Sequence, residues 1–141
     1  MKLSDLLSTI QPLQIVVSTD IDITDIAIDS RQVKPGTLFI AVPGTQVDGH
    51  QFIPKVLEQG AAAVVLSNPE CMTKSDVTFI LVADSEAVVG HLAHHFFGDP
   101  TEKLDLIGVT GTNGKTTIAT LLFKMFRIFG YKCGLCSTVC N

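Results

Sequence analysis

No apolar run in this sequence is long enough to cross a bilayer. The longest, residues 61–66, falls far short of the roughly 20 residues a spanning helix needs. The opening residues, Met1-Lys2-Leu3-Ser4-Asp5-Leu6-Leu7, place an acid early and lack an uninterrupted apolar segment, so no secretory leader and no membrane insertion are expected. An excess of positive charge is also missing. The formal net charge is −4, which removes any bulk attraction to nucleic acid or to an anionic membrane. A polyanionic ligand therefore has to be held by local groups, such as main-chain amides and single lysines. Charged residues are scarce, at 17% against 46% hydrophobic, a balance that favours a compact core over disorder. There is no internal repeat and no low-complexity segment. Cysteines stand at 71, 133, 136 and 140, but the second pair that a zinc framework needs is absent. Reduced thiols in and beside a buried strand of a cytoplasmic protein are expected instead.

What is present alternates between helix and strand patterns. Leu3, Leu6, Leu7 and Ile10 recur at i, i+3, i+4 and i+7, predicting an amphipathic helix that Pro12 stops. Short strands are expected at residues 14–18 and 25–28. The Lys34-Pro35-Gly36 turn introduces a buried strand at 37–42, which ends at Pro43-Gly44. Residues 52–59 form a helical face closed by Gly60, and the strand 62–66 follows. The strand 77–83 leads through Asp84 and Ser85 into a helix of about three turns that ends near Gly98. This alternation predicts a mixed α/β sandwich over residues 1–100. Gly98-Asp99-Pro100-Thr101 is the linker candidate, and a second unit is expected over residues 101–141. That unit begins with a strand at 104–109, a glycine-rich loop and a helix to about Phe129. Gly130 closes the helix, and a further strand is expected at 132–138.

The loop carries the chemistry. Gly111, Thr112, Asn113, Gly114, Lys115, Thr116 and Thr117 stand between a strand pattern and a helix pattern. Such a turn aims successive N–H groups and the positive end of a helix dipole at one point, which suits phosphate oxygens. Lys115 adds a cation for β- and γ-phosphates, and the Thr116 hydroxyl can ligate Mg²⁺. The dipole alone contributes only about 0.3–1 kcal/mol per charge, so the amides, the lysine and the metal must supply most of the affinity. The generic GxxxxGK[ST] pattern would need glycine where Val109 stands. Its second half is nevertheless matched, and Ile118, Leu121, Leu122 and Met125 follow at helical spacing. A dinucleotide fold is disfavoured because Gly108, Gly111 and Gly114 are spaced GxxGxxG.

The stretch from Gly108 to Thr117 resembles the ATP loop of the Mur ligases, which itself lacks the first Walker glycine. Upstream, Asp29-Ser30-Arg31, Lys34-Pro35-Gly36 and Pro43-Gly44 are similar to the uridine-binding stretch of that family's N-terminal domain. Asp48-Gly49-His50 and Gly60-Ala61-Ala62 continue the likeness, which covers nearly the whole chain in order. Two members of the family share this front end, one adding the third residue of the stem peptide and one adding D-Ala-D-Ala. Thr112, Val82-Ala83-Asp84-Ser85 and Phe97-Gly98-Asp99-Pro100 resemble the third-residue member, and the D-Ala-D-Ala-adding member stands as the alternative. The resemblance implies that ATP converts the carboxylate of a UDP-N-acetylmuramoyl-dipeptide into an acyl phosphate, which a diamino acid then attacks. The residues from Gly111 to Thr117 would hold ATP, with Lys115 as the catalytic group and Thr116 on Mg²⁺. Ile28, Ser30, Thr45, Gln46 and Val47 fall where the family contacts uracil, ribose or diphosphate. Taken without the resemblance, Ser30 is an ordinary turn residue, and Ile28 and Val47 are core packing. The family is longer than this chain, so the chain alone is expected not to catalyse ligation and to bind ATP only weakly. Burying Ile118, Leu121, Leu122 and Met125 is worth about 1.5–3 kcal/mol each. This face is therefore expected to dock onto the first unit or to self-associate.

Other candidates carry less. His91, His94 and His95 share one helix face, but no acid or cysteine in that turn completes a metal site, so a partly solvated face is expected. His50 lies in the expected substrate loop, where a structural hydrogen bond explains it equally well. The segment 78–84 resembles a Walker B strand, yet it precedes the loop, and Asp84 is read as a helix cap. Two other readings stay open: a different ATP- or GTP-hydrolysing switch or kinase, and a non-catalytic nucleotide-binding module.

Overall fold

The computed structural model describes residues 1–44, 47–73 and 76–138. It divides into two compact units, Met1–Lys103 and Leu104–Asn141.

The first unit is built on five strands: β1 (Gln14–Val16), β2 (Asp25–Ala27), β3 (Thr37–Ile40), β4 (Ala63–Leu66) and β5 (Thr78–Leu81). Their order across the sheet is β1-β5-β4-β3-β2, parallel throughout except for β1, which runs antiparallel to β5 at the edge. The three central strands are apolar at nearly every position because both of their faces are covered. Period-two alternation then sorts their side chains. One row, Ala27, Phe39, Val64, Phe79 and Val16, crosses all five strands in register. It packs under Ile53 and Val56 of α2 (Ile53–Glu58), with Val33, Cys71 and Met72 from the neighbouring crossovers. Successive crossovers of one hand that step in one direction all cover the same face. Leu38, Ile40, Ala63, Val65 and Ile80 face the other way, against Leu3, Leu6 and Leu7 of α1 (Leu3–Leu7) and Leu92 of α3 (Ser85–Phe96).

Local signals set the helix ends. The Asp84 carboxylate accepts the Glu86 and Ala87 N–H groups at 2.9 and 3.1 Å, capping α3 as expected. At the end of α2, Gly60 N–H donates to Leu57 O and Ala61 N–H to Val56 O, the paired closure of a left-handed C-terminal turn. The first helix is shorter than its apolar spacing suggested. After Leu7 the chain continues in tighter turns, with Ser8, Thr9 and Ile10 N–H each bonding three residues back.

In the second unit the loop leads into α4 (Lys115–Ile128), and Gly130 and Tyr131 close it on Arg127 and Phe126. The strands expected at 104–109 and 132–138 do not form among the described residues. A strand exists only through a ladder partner, and no strand pairs with these segments among the described residues. Consistent with that, α4 has no buried residue, and Ile118, Leu121, Met125 and Ile128 lie exposed.

Candidate functional site

Parallel strands all end at one edge of a sheet, and in open α/β sheets that carboxyl edge is where ligands sit. Here residues 28–31 follow β2, 41–44 follow β3, 67–68 follow β4 and 82–85 follow β5. Side chains tie three of these exits together. Ser85 donates its hydroxyl to Ala41 O at 2.6 Å, and Ser85 Oγ lies 3.3 Å from Ser67 Oγ. His50 Nε2 is approached by the main-chain N–H groups of Ser67 and Asn68 at 3.1 and 3.3 Å. An N–H can only donate, so Nε2 is the acceptor and the ring proton sits on Nδ1, where it donates to Asp48 Oδ1 at 2.6 Å. The His50 main-chain N–H, and then this ring N–H, hold the Asp48 carboxyl below its ordinary value.

Asp48, His50 and Ser67 thus stand in the sequence of contacts of a hydrolytic triad, but they do not function as one. Ser67 Oγ is 3.5 Å from Nε2, whose lone pair is already taken by two amides, and His50 is only 5% exposed. This buried network was only partly legible beforehand. The Asp48-Gly49-His50 motif marked the residues, while the Ser67 and Asn68 amides just beyond β4 that bond His50 are remote in sequence.

Of the expected substrate residues, Ile28, Ser30 and Val47 fall on this edge. Ile28 and Val47 are 58% and 52% exposed, so core packing does not account for either. Ser30 is 94% buried by contrast, and its hydroxyl makes no hydrogen bond among the described residues. Thr45 and Gln46 lie outside the described residues. Beside Ser30, Arg31 grips Asp29 through Nε, at 3.0 and 3.1 Å from the two oxygens, and through a terminal nitrogen at 2.6 Å. That guanidinium, together with the Arg31 main-chain N–H, lowers the Asp29 carboxyl from 3.8 to about 2. A depressed value means the pair stabilises the fold above the ordinary carboxylate range and loses that contribution as pH falls through about 2. In an NMR titration, Arg31→Ala is expected to return the Asp29 midpoint part of the way toward 3.8, since the main-chain donor remains. An unchanged midpoint would remove Arg31 as the cause.

The histidine face on α3 is partly solvated, as expected, with one addition. The left-handed turn at Gly98 carries Asp99 back beneath the helix end, where its carboxylate meets His94 Nδ1 at 2.9 Å and His95 Nδ1 at 3.4 Å. An acid is therefore present, supplied from beyond the helix rather than from its own turn. It lies within ion-pair distance of the two ring nitrogens, and no metal-holding cluster occurs among the described residues.

The glycine-rich loop belongs to the second unit. Gly114 precedes α4 with φ +75°, and Gly111 has φ +149°, backbone that side-chain-bearing residues rarely adopt. The first recorded main-chain bond into the helix is Ile118 N–H to Gly114 O at 2.9 Å, so the N–H groups of Lys115, Thr116 and Thr117 remain available. Lys115 folds over the loop, its ammonium donating to Gly111 O and to Thr112 O, the latter at 3.3 Å. Thr116 is half-buried and its hydroxyl makes no hydrogen bond among the described residues. Free amides, a loop-side ammonium and a free hydroxyl fit a triphosphate with its magnesium ion. Cys71, Cys133 and Cys136 are free thiols. The latter two are exposed rather than set in a buried strand, and Cys140 lies outside the described residues.

Comparison with known proteins adds the following. Residues 22–97 match the family model described as Mur ligase family, catalytic domain. The chain is 56% identical over 141 residues to the UDP-N-acetylmuramoyl-L-alanyl-D-glutamate--2,6-diaminopimelate ligase of Bacteroides fragilis. It is 56% identical over 142 aligned residues to the enzyme of the same name from Phocaeicola vulgatus. All of this chain is covered in both alignments, but it spans only 29% of the length of either relative. A solved structure of a UDP-N-acetylmuramoyl-L-alanyl-D-glutamate--2,6-diaminopimelate ligase superposes with a TM-score of 0.70 at 22% identity. It covers 99% of this chain and 28% of that one, a likeness of fold. No described helix is long and apolar enough to cross a membrane.

Proposed function

The chain belongs to the Mur ligase family, and from that premise we propose that it forms the front part of a cytoplasmic, ATP-dependent ligase of peptidoglycan precursor synthesis. The reaction is addition of a diamino acid, the third residue of the stem peptide, to UDP-N-acetylmuramoyl-L-alanyl-D-glutamate. The names of the relatives favour 2,6-diaminopimelate as that amino acid and disfavour the D-Ala-D-Ala-adding alternative.

The first unit would bind the uridine end of the sugar nucleotide. What supports this most is the carboxyl edge itself, which combines bare apolar side chains at Ile28 and Val47 with a Ser30 hydroxyl that makes no hydrogen bond among the described residues. Flat bases favour apolar faces, and sugar or diphosphate oxygens favour hydroxyl and amide donors. Thr45 and Gln46 would join them. The second unit would hold ATP over the residues from Gly111 to Thr117. Lys115 would place its charge on the β- and γ-phosphates, the Lys115, Thr116 and Thr117 amides would hold phosphate oxygens, and Thr116 would ligate Mg²⁺. ATP supplies the phosphoryl group that makes a carboxylate reactive, and these residues steady the charge on it. The exposed stripe on α4 supports the expectation that the chain in isolation self-associates.

The test is titration of the 141-residue chain with UDP and with UDP-N-acetylmuramoyl-L-alanyl-D-glutamate. Saturable shifts are expected at the amides of Ile28, Ser30 and Val47. If neither compound shifts them, the substrate assignment fails.

A further inference from the structure

A sugar nucleotide brings a negatively charged diphosphate to the carboxyl edge, and the described segments there are poor in cations. Residues 28–31, 41–44, 47–50, 67–68 and 82–85 include Asp29, Asp48 and Asp84 but no lysine, and Arg31 is their one arginine. His50 spends both ring nitrogens on protein partners. After Arg31 itself, Lys55 on α2 also helps to lower the Asp29 carboxyl, so a second cation stands in the neighbourhood.

The Arg31 side chain is 82% exposed, yet the residue is held at both ends. Its main-chain N–H donates to Asp29 Oδ1 at 2.9 Å, and Gln32 N–H closes the same turn on Asp29 O at 3.0 Å. Its head is gripped from the side, with Nε and Nη2 both donating to the Asp29 carboxylate. Nη1 makes no hydrogen bond among the described residues. A guanidinium carries five N–H donors in one plane. Asp29 therefore occupies the side-on edge and leaves the end-on edge open, formed by Nη1 and the second proton of Nη2. An exposed ion pair adds little to stability, so what this one does is orient. Asp29 stays ionised down to about 2, and the grip persists at neutral pH.

We propose that Arg31 is a ligand-contact residue whose end-on edge receives the diphosphate of the sugar nucleotide, with Asp29 holding that fork in place. The inference rests on the sugar-nucleotide reading and adds the charged contact that reading lacks. Two parallel N–H groups match two non-bridging phosphate oxygens, a fit that a single ammonium does not offer. Placement agrees. Arg31 follows Ser30 directly, and three residues span at most about 10 Å, so a base packed on Ile28 keeps its diphosphate within reach of the arginine.

The test titrates the 141-residue chain and three variants with uridine and with UDP, read at the amides of Ile28 and Val47. Arg31→Ala is expected to weaken UDP about tenfold and to leave uridine within about twofold. Arg31→Lys keeps the charge without the fork and is expected to stay at least about threefold weaker for UDP than the unaltered chain. Lys55→Ala, the control for diffuse attraction, is expected to hold UDP affinity within about twofold. Equal weakening of uridine and UDP by Arg31→Ala would make the arginine a support of the turn, and an unmoved UDP affinity would make it a bystander. Either result overturns the proposal while the sugar-nucleotide reading stands, as does a Lys55→Ala loss equal to that of Arg31→Ala or full recovery by lysine. An unaltered chain that binds neither compound overturns both.

Discussion

Lys115→Ala is expected to lower ATP-dependent ligation by about 10²–10³-fold, the loss typical of removing one preorganised charge-stabilising donor from a transition state. The chain spans 29% of its relatives' length, so the measurement needs an enzyme of full length. A chimera that continues this chain with the remainder of the Bacteroides fragilis relative provides one. The expectation rests on position. The Lys115 ammonium lies over the glycine loop on two main-chain carbonyls, beside the free N–H groups that open α4. A triphosphate offers that ammonium full negative charge in place of carbonyl dipoles, and the attraction rises as charge builds on the transferred group. Arginine is not expected to restore activity, because its planar fork does not replace a compact point charge in a tight loop. Sugar-nucleotide affinity should be unchanged. Retention of ligation within tenfold by the alanine variant would remove the loop from the chemistry.

Phe39→Ala should cost about 3–5 kcal/mol of folding stability, the range for deleting a buried phenylalanine. Small domains have only about 5–15 kcal/mol in all. Phe39 is fully buried on β3, in register with Ala27 and Val64, and shares its cluster with Phe79, Ile53 and Val56. The row it belongs to crosses every strand, so a cavity there opens beneath α2, where no neighbour can move in without leaving its own ladder position. Urea unfolding of the first unit reads the effect as a lowered midpoint at near-constant slope. A loss under 1 kcal/mol would mean that the face collapses around the gap and that the row is not the mechanical centre of the sheet.

Local structure was legible because its causes are local. Asp84 caps α3 through amides two and three residues away, and Gly60 and Gly130 close helices through carbonyls of the preceding turn. The strands β3, β4 and β5 announced themselves as apolar runs because burial on both faces leaves no polar side to show. The segment 104–109 shows the limit of that reasoning. Its composition is that of a strand, yet it forms none among the described residues, since composition cannot supply the neighbour that receives its hydrogen bonds. His94 and His95 show the same limit in reverse. Their turn contains no acid, and the acid that reaches them comes from past a left-handed glycine.

The candidate site divides along the same line. The residues from Gly111 to Thr117 were named as a phosphate-loop candidate from their order alone, because such a loop uses consecutive amides and one lysine, all within a single turn of chain. At the carboxyl edge the sequence named Ile28, Ser30 and Val47 but left core packing open as an explanation for the two apolar ones. Only the tertiary structure, by leaving Ile28 and Val47 bare, decided against it. Only the tertiary structure set β1 antiparallel at the edge and joined His50 to Ser67 and Asn68. The physical reason is range. Capping, turn formation and side-chain periodicity are fixed by neighbours along the chain, whereas strand order, burial and the partner of a buried imidazole depend on segments that meet only once the sheet has closed.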